Sequence, residues 1–196
     1  DGSQSPYELN ITYLEAVADR TTVPATEHAK RFLATQAIML SMAGVPAVYF
    51  HSLVGSPNDI AGVEASGIPR RINRHKYERA ELEAALADTG SLQQLVADGY
   101  RHLLSVRKQQ TQFHPNASQT VLEVPTDGML GFVRQNEGQP PLCVLANLSG
   151  EKRQIDPADL PSDFAFDVLS DESLDQNAPI AMAPYQVRWL KSSSTA

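Results

Sequence analysis

Residues Ala37–His75 constrain the fold more than any other stretch of the chain. They open on Ala37-Ile38-Met39-Leu40-Ser41-Met42-Ala43, a run apolar nearly all round, which as a helix has to be buried. Ala29, Phe32, Leu33, Ala37 and Leu40 carry helical spacing back to Thr26, whose side-chain oxygen suits an N-cap. Gly44 is a natural stop, because glycine takes the left-handed C-terminal position without steric cost. Val45–Phe50 is then too short for a helix and rich in strand formers, with Pro46 near its start, where strands tolerate proline. A buried helix running into a short buried strand is half of a repeating βα unit. A polar, glycine-bearing loop over residues 51–67 follows and closes on Ile68-Pro69-Arg70-Arg71-Ile72-Asn73-Arg74-His75. Loops leaving the C-terminal end of a parallel strand carry the ligand-binding side chains of α/β folds, so this closing segment is the first candidate site.

Downstream, Glu78–Ala87 reads as a charged helix broken at Asp88-Thr89-Gly90. Ser91 and Gln94 have capping-box spacing, and Leu92, Leu95, Val96, Tyr100, Leu103 and Leu104 mark one apolar helical face up to about Gln110. From Gln119 the hydrophobic period changes to two. Val121-Leu122, Leu130–Val133, Pro141–Leu148, Phe164–Leu169 and Ile180–Leu190 are expected strands, separated by turns such as Asp127-Gly128, Glu137-Gly138 and Ser149-Gly150. Short strands punctuated in this way predict a small antiparallel β-sandwich. The expected domains are therefore residues 1–112, of α/β type, and residues 113–196, all-β. Asp1–Pro6 consists of turn and loop residues with neither an initiator Met nor the basic and apolar regions of a signal peptide. The expectation is a C-terminal piece of a longer protein.

Composition narrows the partners. Hydrophobic residues are 42% and charged residues 20% of the chain, enough for a packed core. The net charge of −7 without a basic stripe argues against a nucleic-acid or anionic-membrane partner. No apolar run has the length of a membrane span. Cys143, the only cysteine, lies in a strand pattern and is expected to be a buried thiol. With no disulfide possible within the chain, a reducing compartment, the cytoplasm, is the expected location.

Chemistry is sparse. His28, His51, His75, His102 and His114 have neither the spacing nor the nearby carboxylates of a zinc site, and no nucleophile elbow, P-loop or dinucleotide fingerprint occurs. Glu8, Asp59 and Glu64 are carboxylates in expected loops, where structuring the loop is the default role. Arg70, Arg71 and Arg74 stand out more. Guanidinium forks bind phosphate and sugar hydroxyls, and they also hold loops through carbonyls and ion pairs; on the residues alone both readings stay open.

In chain order, Tyr7-Glu8-Leu9-Asn10-Ile11-Thr12-Tyr13, Ala43-Gly44-Val45-Pro46-Ala47-Val48-Tyr49-Phe50, Gly55-x-x-Asn58-Asp59 and Arg70-x-Ile72-Asn73-Arg74-His75 resemble the C-terminal part of the sucrose-phosphorylase branch of the alpha-amylase superfamily. Ala183-Pro184-Tyr185 and Trp189-Leu190 resemble the closing strand of its C-terminal β-domain. The resemblance implies the last strand and flanking helices of a (β/α)8 barrel followed by an antiparallel β-sandwich, with the rest of the barrel N-terminal to Asp1. It implies a retaining transfer of a glucosyl group between an α-glucoside and inorganic phosphate, giving glucose 1-phosphate, with no cofactor. The carboxylates that act as nucleophile, acid/base and stabiliser lie on strands before this chain, so none is assigned here and the chain alone is expected to be inactive. Arg70 matches the arginine that hydrogen-bonds the donor glucose, and Tyr7 and Glu8 match the loop lining the acceptor and phosphate site. Sucrose phosphorylases usually carry glutamine where Glu8 stands, and an Asp-Leu pair in place of Ser5-Pro6. A carboxylate near phosphate repels it unless a cation pairs with it. Glucosylglycerate phosphorylases carry a similar Pro-Tyr-Glu-Leu-Asn stretch, which makes glucosylglycerate as good a substrate expectation as sucrose. A hydrolase or transglucosidase of the same superfamily, or a non-catalytic carbohydrate-binding module, are the alternatives.

Overall fold

The computed structural model describes residues 8–192, and the chain changes from helix to strand between Phe113 and Ser118. Those residues form two compact units. One is the chain up to Phe32 together with Val48–Asp98; the other is Leu33–Ala47 together with the residues from Gly99 onward.

The first unit is helical. Helix α1 (Tyr13–Val17) is capped by Thr12, whose Oγ1 accepts from the Glu15 amide at 3.3 Å. Helix α2 (Ala25–Ser41) follows, and its first bond runs from the His28 amide to the Pro24 carbonyl. Pro24, and not the expected Thr26, therefore occupies the cap; Thr26 lies inside the first turn. Leu14 and Phe32 are buried, Tyr13 meets Phe32 edge-on at 5.9 Å, and the buried His28 bonds the Leu14 carbonyl through Nε2 at 2.8 Å. The expected loop 51–67 holds two short helices, α3 (Phe50–Leu53) and α4 (Ile60–Ser66). Gly67 ends α4 at φ +66°, a conformation glycine takes freely. A 3-10 turn, Pro69–Asn73, comes next, then α5 (Arg79–Ala87) and the start of α6 (Leu92–Lys108). The Ser91 hydroxyl caps α6 by accepting from the Gln94 amide at 3.1 Å, while the Gln94 side chain accepts from the amide of Gly90.

Val45–Phe50 is not a strand. Val45–Tyr49 is irregular, Phe50 begins α3, and Val45 is 82% exposed. The residues have the composition of a central parallel strand, but such a strand takes its ladder bonds from flanking strands, and no described residue pairs with it.

The second unit is built on an antiparallel sheet. Its strands are β1 (Ser118–Leu122), β2 (Met129–Gln135), β3 (Leu142–Asn147), β5 (Phe164–Asp167), β6 (Glu172–Ser173) and β8 (Val187–Ser192), ordered β1-β2-β3-β8-β5-β6. A second sheet pairs β4 (Arg153–Ile155) with β7 (Ile180–Met182). Strand β3 is buried along its whole length and its two faces serve two cores. Cys143 and Leu145 join Ile155, Phe164, Ile180, Met182 and Leu190 in the core of the sandwich. Val144 pairs in register with Trp189, whose ring meets Phe113 at 4.7 Å. The expected single strand over Ile180–Leu190 is two strands, because Pro184 offers no amide to a ladder and Tyr185 adopts φ +55° in the intervening turn. Buried Asp167 ties β5 to β8, accepting from Arg188 Nη1 at 2.9 Å and from the Trp189 amide at 3.1 Å.

Arg134 on β2 has no exposure and spends its guanidinium on main-chain carbonyls. It donates to Ser41 at 2.7 Å, His114 at 2.8 Å, Ser118 at 3.1 Å and Ala117 at 3.2 Å. Replacing it with methionine keeps the bulk and strands those acceptors; an unsatisfied buried acceptor costs about 1–3 kcal/mol. Arg134→Met should lower unfolding stability by about 3 kcal/mol in urea titration, and Arg134→Lys should restore less than half because ammonium lacks the fork. Burial also pushes the Cys143 thiol up to about 12, so at about pH 8 iodoacetamide should leave it unlabelled until denaturant is added, since the thiolate is the reactive form. In hydrogen exchange, amides of β2, β3 and β8 should outlast those of Val45–Tyr49 by about 100-fold or more; equal protection would contradict the lack of ladder partners for that segment.

Candidate functional site

The candidate site is assembled within the first unit around the turn Pro69–Asn73. Pro69 presets the backbone angle of the first turn residue, and Ile72 is the buried plug that seats the turn. With Ile72 inward, Arg70 projects to the surface. Its Nε lies 2.9 Å from Glu8 Oε1, with both side chains more than a third exposed. The adjoining segment is held too: the Thr12 amide donates to Asn58 Oδ1 at 2.7 Å. Glu8 and Arg70, far apart in sequence, are thus brought together, and the carboxylate whose charge called for a cation has one. Tyr7 lies outside the described residues.

Behind the turn sits Asp59, nearly buried, at the N-cap of α4. Its Oδ1 accepts from the Gly62 amide at 2.9 Å, Arg71 Nη2 stands 3.6 Å from Oδ2, and His75 Nδ1 stands 3.4 Å from Oδ1. Burial pushes the carboxyl up, but the Gly62 amide, His75 and Arg71 together bring it below the ordinary range, so it is ionised at neutral pH. His75 reaches Glu81 with its other nitrogen at 3.4 Å and packs edge-on against Tyr77 at 4.4 Å. The Tyr49 hydroxyl donates to the Asn73 carbonyl at 2.9 Å and fixes the end of the turn. His51 bonds Ser56 Oγ at 3.0 Å; burial, then the charge of His75, lowers its pKa, against an opposing pull from Asp59. Burial raises the Tyr77 phenol. Arg20, Asn58, Asp59, His75, Tyr77 and Glu81 line an open depression of about 330 Å³.

Chemically the depression offers guanidinium, carboxylate, amide and imidazole groups for hydrogen bonding, while Arg70 and Glu8 lie outside its lining. Asp59 is committed to its helix cap and its ion pairs, and Glu64 is exposed on α4, so neither is placed as an acid or a nucleophile. Among the described residues no group of His, Cys, Asp or Glu is arranged to hold a metal ion, and no helix is long and apolar enough to cross a membrane. Sequence reasoning singled out Arg70 and Glu8 and gave Asp59 a loop-structuring role without its partners. The signal available for it was Asn58-Asp59 three residues ahead of Gly62, the spacing of an N-cap bond.

No family model matches the chain. Individual relatives do. A glucosylglycerate phosphorylase of Allomeiothermus silvanus is 46% identical over 141 residues, covering 71% of this chain and 25% of its own length. One from Escherichia coli K12 is 35% identical over 191 residues, covering 97% of this chain and 33% of its own. A sucrose phosphorylase of Agrobacterium vitis is 34% identical over 80 residues, 41% of this chain and 15% of its own. The chain spans a third or less of the length of these curated relatives. Among solved structures, the trehalulose synthase MutB of Pseudomonas mesoacidophila MX-45 superposes with a TM-score of 0.59 at 16% identity, over 83% of this chain and 38% of that one. A maltogenic amylase from S. marinus gives 0.55 at 12% identity, over 83% and 19%. These structural neighbours share the fold. Matched over 71–97% of its length by three glucosylglycerate phosphorylases at 34–46% identity, the chain belongs to the family of the glucosylglycerate phosphorylases.

Proposed function

We propose that the protein carrying this chain is a retaining phosphorylase of α-glucosides, with glucosylglycerate as the first substrate to test and sucrose as the second. The observation that carries the reading is the Arg70–Glu8 pair at 2.9 Å, in a chain whose relatives at 34–46% identity include glucosylglycerate phosphorylases. In a double displacement one carboxylate takes the glucosyl group while an acid protonates the leaving oxygen, and phosphate then attacks the glucosyl ester with that acid acting as base. Those carboxylates belong to barrel strands preceding Asp1, which leaves this chain inactive alone and supplying one wall of the site.

On that wall Arg70 donates to hydroxyls of the donor glucose through its planar fork. Tyr7 and Glu8 line the acceptor side. Beside a phosphate, an unpaired Glu8 would be repulsive; held against Arg70 its charge is offset. No cofactor is required, since the leaving group departs by protonation and the nucleophile is phosphate. A reducing cytoplasm suits the single buried thiol. Nothing observed favours the hydrolase, transglucosidase or binding-module readings over this one.

The test is glucose 1-phosphate release by the full-length protein from glucosylglycerate and from sucrose, with and without phosphate. Phosphate-dependent release is expected, with glucosylglycerate preferred. Free glucose formed equally fast without phosphate would replace the proposal with a hydrolase. Arg70→Ala should reduce kcat/KM for the glucoside by about 10–100-fold, the loss of one or two hydrogen bonds to a charged donor at about 1.5–3 kcal/mol.

A further inference from the structure

We propose that Asp59 is the positioning residue for Arg70: it grips the turn Pro69–Asn73 from behind and thereby sets where the Arg70 guanidinium is presented. The inference rests on the reading of Arg70 as a sugar-binding group and adds a residue to which neither the motifs nor the relatives assign a role.

The geometry places three holds on the turn. The Asp59 amide donates to the Ile72 carbonyl at 2.8 Å, within the turn itself. Its carboxylate lies 3.6 Å from Arg71, the neighbour of Arg70, and 3.4 Å from His75, just past the turn. The carboxylate is itself fixed by the Gly62 amide at 2.9 Å and has only 7% of its side chain exposed. Arg70, by contrast, is close to half exposed, and a surface ion pair to Glu8 is worth about 0–1 kcal/mol. The backbone from which the Arg70 side chain springs is held by Asp59.

Gly62 supplies an independent handle. A Cβ there would stand 2.1 Å from Asp59 Oδ2 and 2.5 Å from its carboxyl carbon. The Gly62 backbone is ordinary α-helix, without a positive φ, so alanine would otherwise favour α4. Gly62→Ala evicts the carboxylate without altering any charge. Asp59→Asn does the complementary thing. Asparagine caps a helix as well as aspartate, so α4 keeps its start while the attraction for Arg71 and His75 is lost.

The experiment is a double-mutant cycle in the full-length protein, with Asp59→Asn, Arg70→Ala and the double variant assayed for kcat and KM, and Gly62→Ala as the second route. Asp59→Asn and Gly62→Ala should each lower kcat/KM for the glucoside by about tenfold, and Asp59→Asn should add almost nothing to Arg70→Ala, because residues that act as a unit are non-additive. Amides of Arg71 and Arg74, which bond within the turn, should exchange at least about tenfold faster in both Asp59→Asn and Gly62→Ala. Additive losses, or unchanged exchange in both variants, overturn the proposal. If Arg70→Ala leaves the kinetics untouched, the sugar-binding reading fails by itself; faster exchange at Arg71 and Arg74 then keeps the positioning role and unchanged exchange removes it.

Discussion

A guanidinium buried among carbonyls holds the second unit together. Helix α2 ends at Ser41, and the last carbonyls of any helix lack intrahelical partners. Arg134 donates to the Ser41 carbonyl and Arg107 donates to that of Leu40, so a strand residue and a residue of α6 cap the same helix end. The negative end of the helix dipole favours both cations. Their other donors bind Phe113, His114, Ala117 and Ser118, the connection leading into the sheet. Burial lowers the pKa of each, and for Arg134 the Arg107 charge adds to it. A buried cation is costly unless hydrogen bonds surround it, which is why the carbonyls converge so completely.

That constraint orders the rest of the unit. With the connection 113–118 pinned, Phe113 lies against Trp189 and β1 enters in register beside β2. Strand β3 then pairs with β2 and β8, and its alternation sends Cys143 and Leu145 to one core and Val144 to the other. Two close approaches sharpen the packing. A Cβ at Gly99 would meet Leu33 Cδ1 at 2.2 Å, and one at Gly131 would meet Val124 Cγ2 at 2.6 Å; a side chain at either place would displace its neighbour. Between β5 and β8, Asp167 receives Arg188 and the Trp189 amide. A carboxylate buried in this way serves as a lock on register, because shifting β5 by one residue would strand both charges.

What could be read in the sequence was whatever periodicity encodes. The face of α2 that carries Phe32, Ala37 and Leu40, the stop near Gly44 and the strands β2, β3 and β5 follow local patterns that the packing respects. The apolar end of α2, by contrast, is not buried all round: Ile38 and Met39 are half-buried and Met42, just past the helix, is exposed. Partners that lie far along the chain were not legible. Arg134 looks like one polar residue in a strand, and nothing local announces carbonyls at Ser41 or His114. Strands β4 and β6 are too short to carry a period, and the break at Pro184 was absorbed into an apolar run. Val45–Phe50 shows the opposite failure. Its composition is that of a strand, but a strand is a relation between segments, and composition cannot supply the neighbour.

The candidate site divides along the same line. Arg70 and Glu8 were singled out through the resemblance of the motifs that contain them, and the structure places the two side chains 2.9 Å apart. For Asp59 the loop-structuring role was read but its partners were not: the cap of α4, the turn, Arg71 and His75. The two carboxylates differ in what it takes to move them. Glu8 is solvated and makes a surface contact that salt screens and a ligand can replace at small cost. Asp59 is desolvated, and moving it would strand the Gly62 amide and break the contacts with Arg71 and His75 at once. The candidate site thus combines a labile contact with a fixed one. The turn Pro69–Asn73 stands between them, with Arg70 facing the labile carboxylate and Arg71 the fixed one.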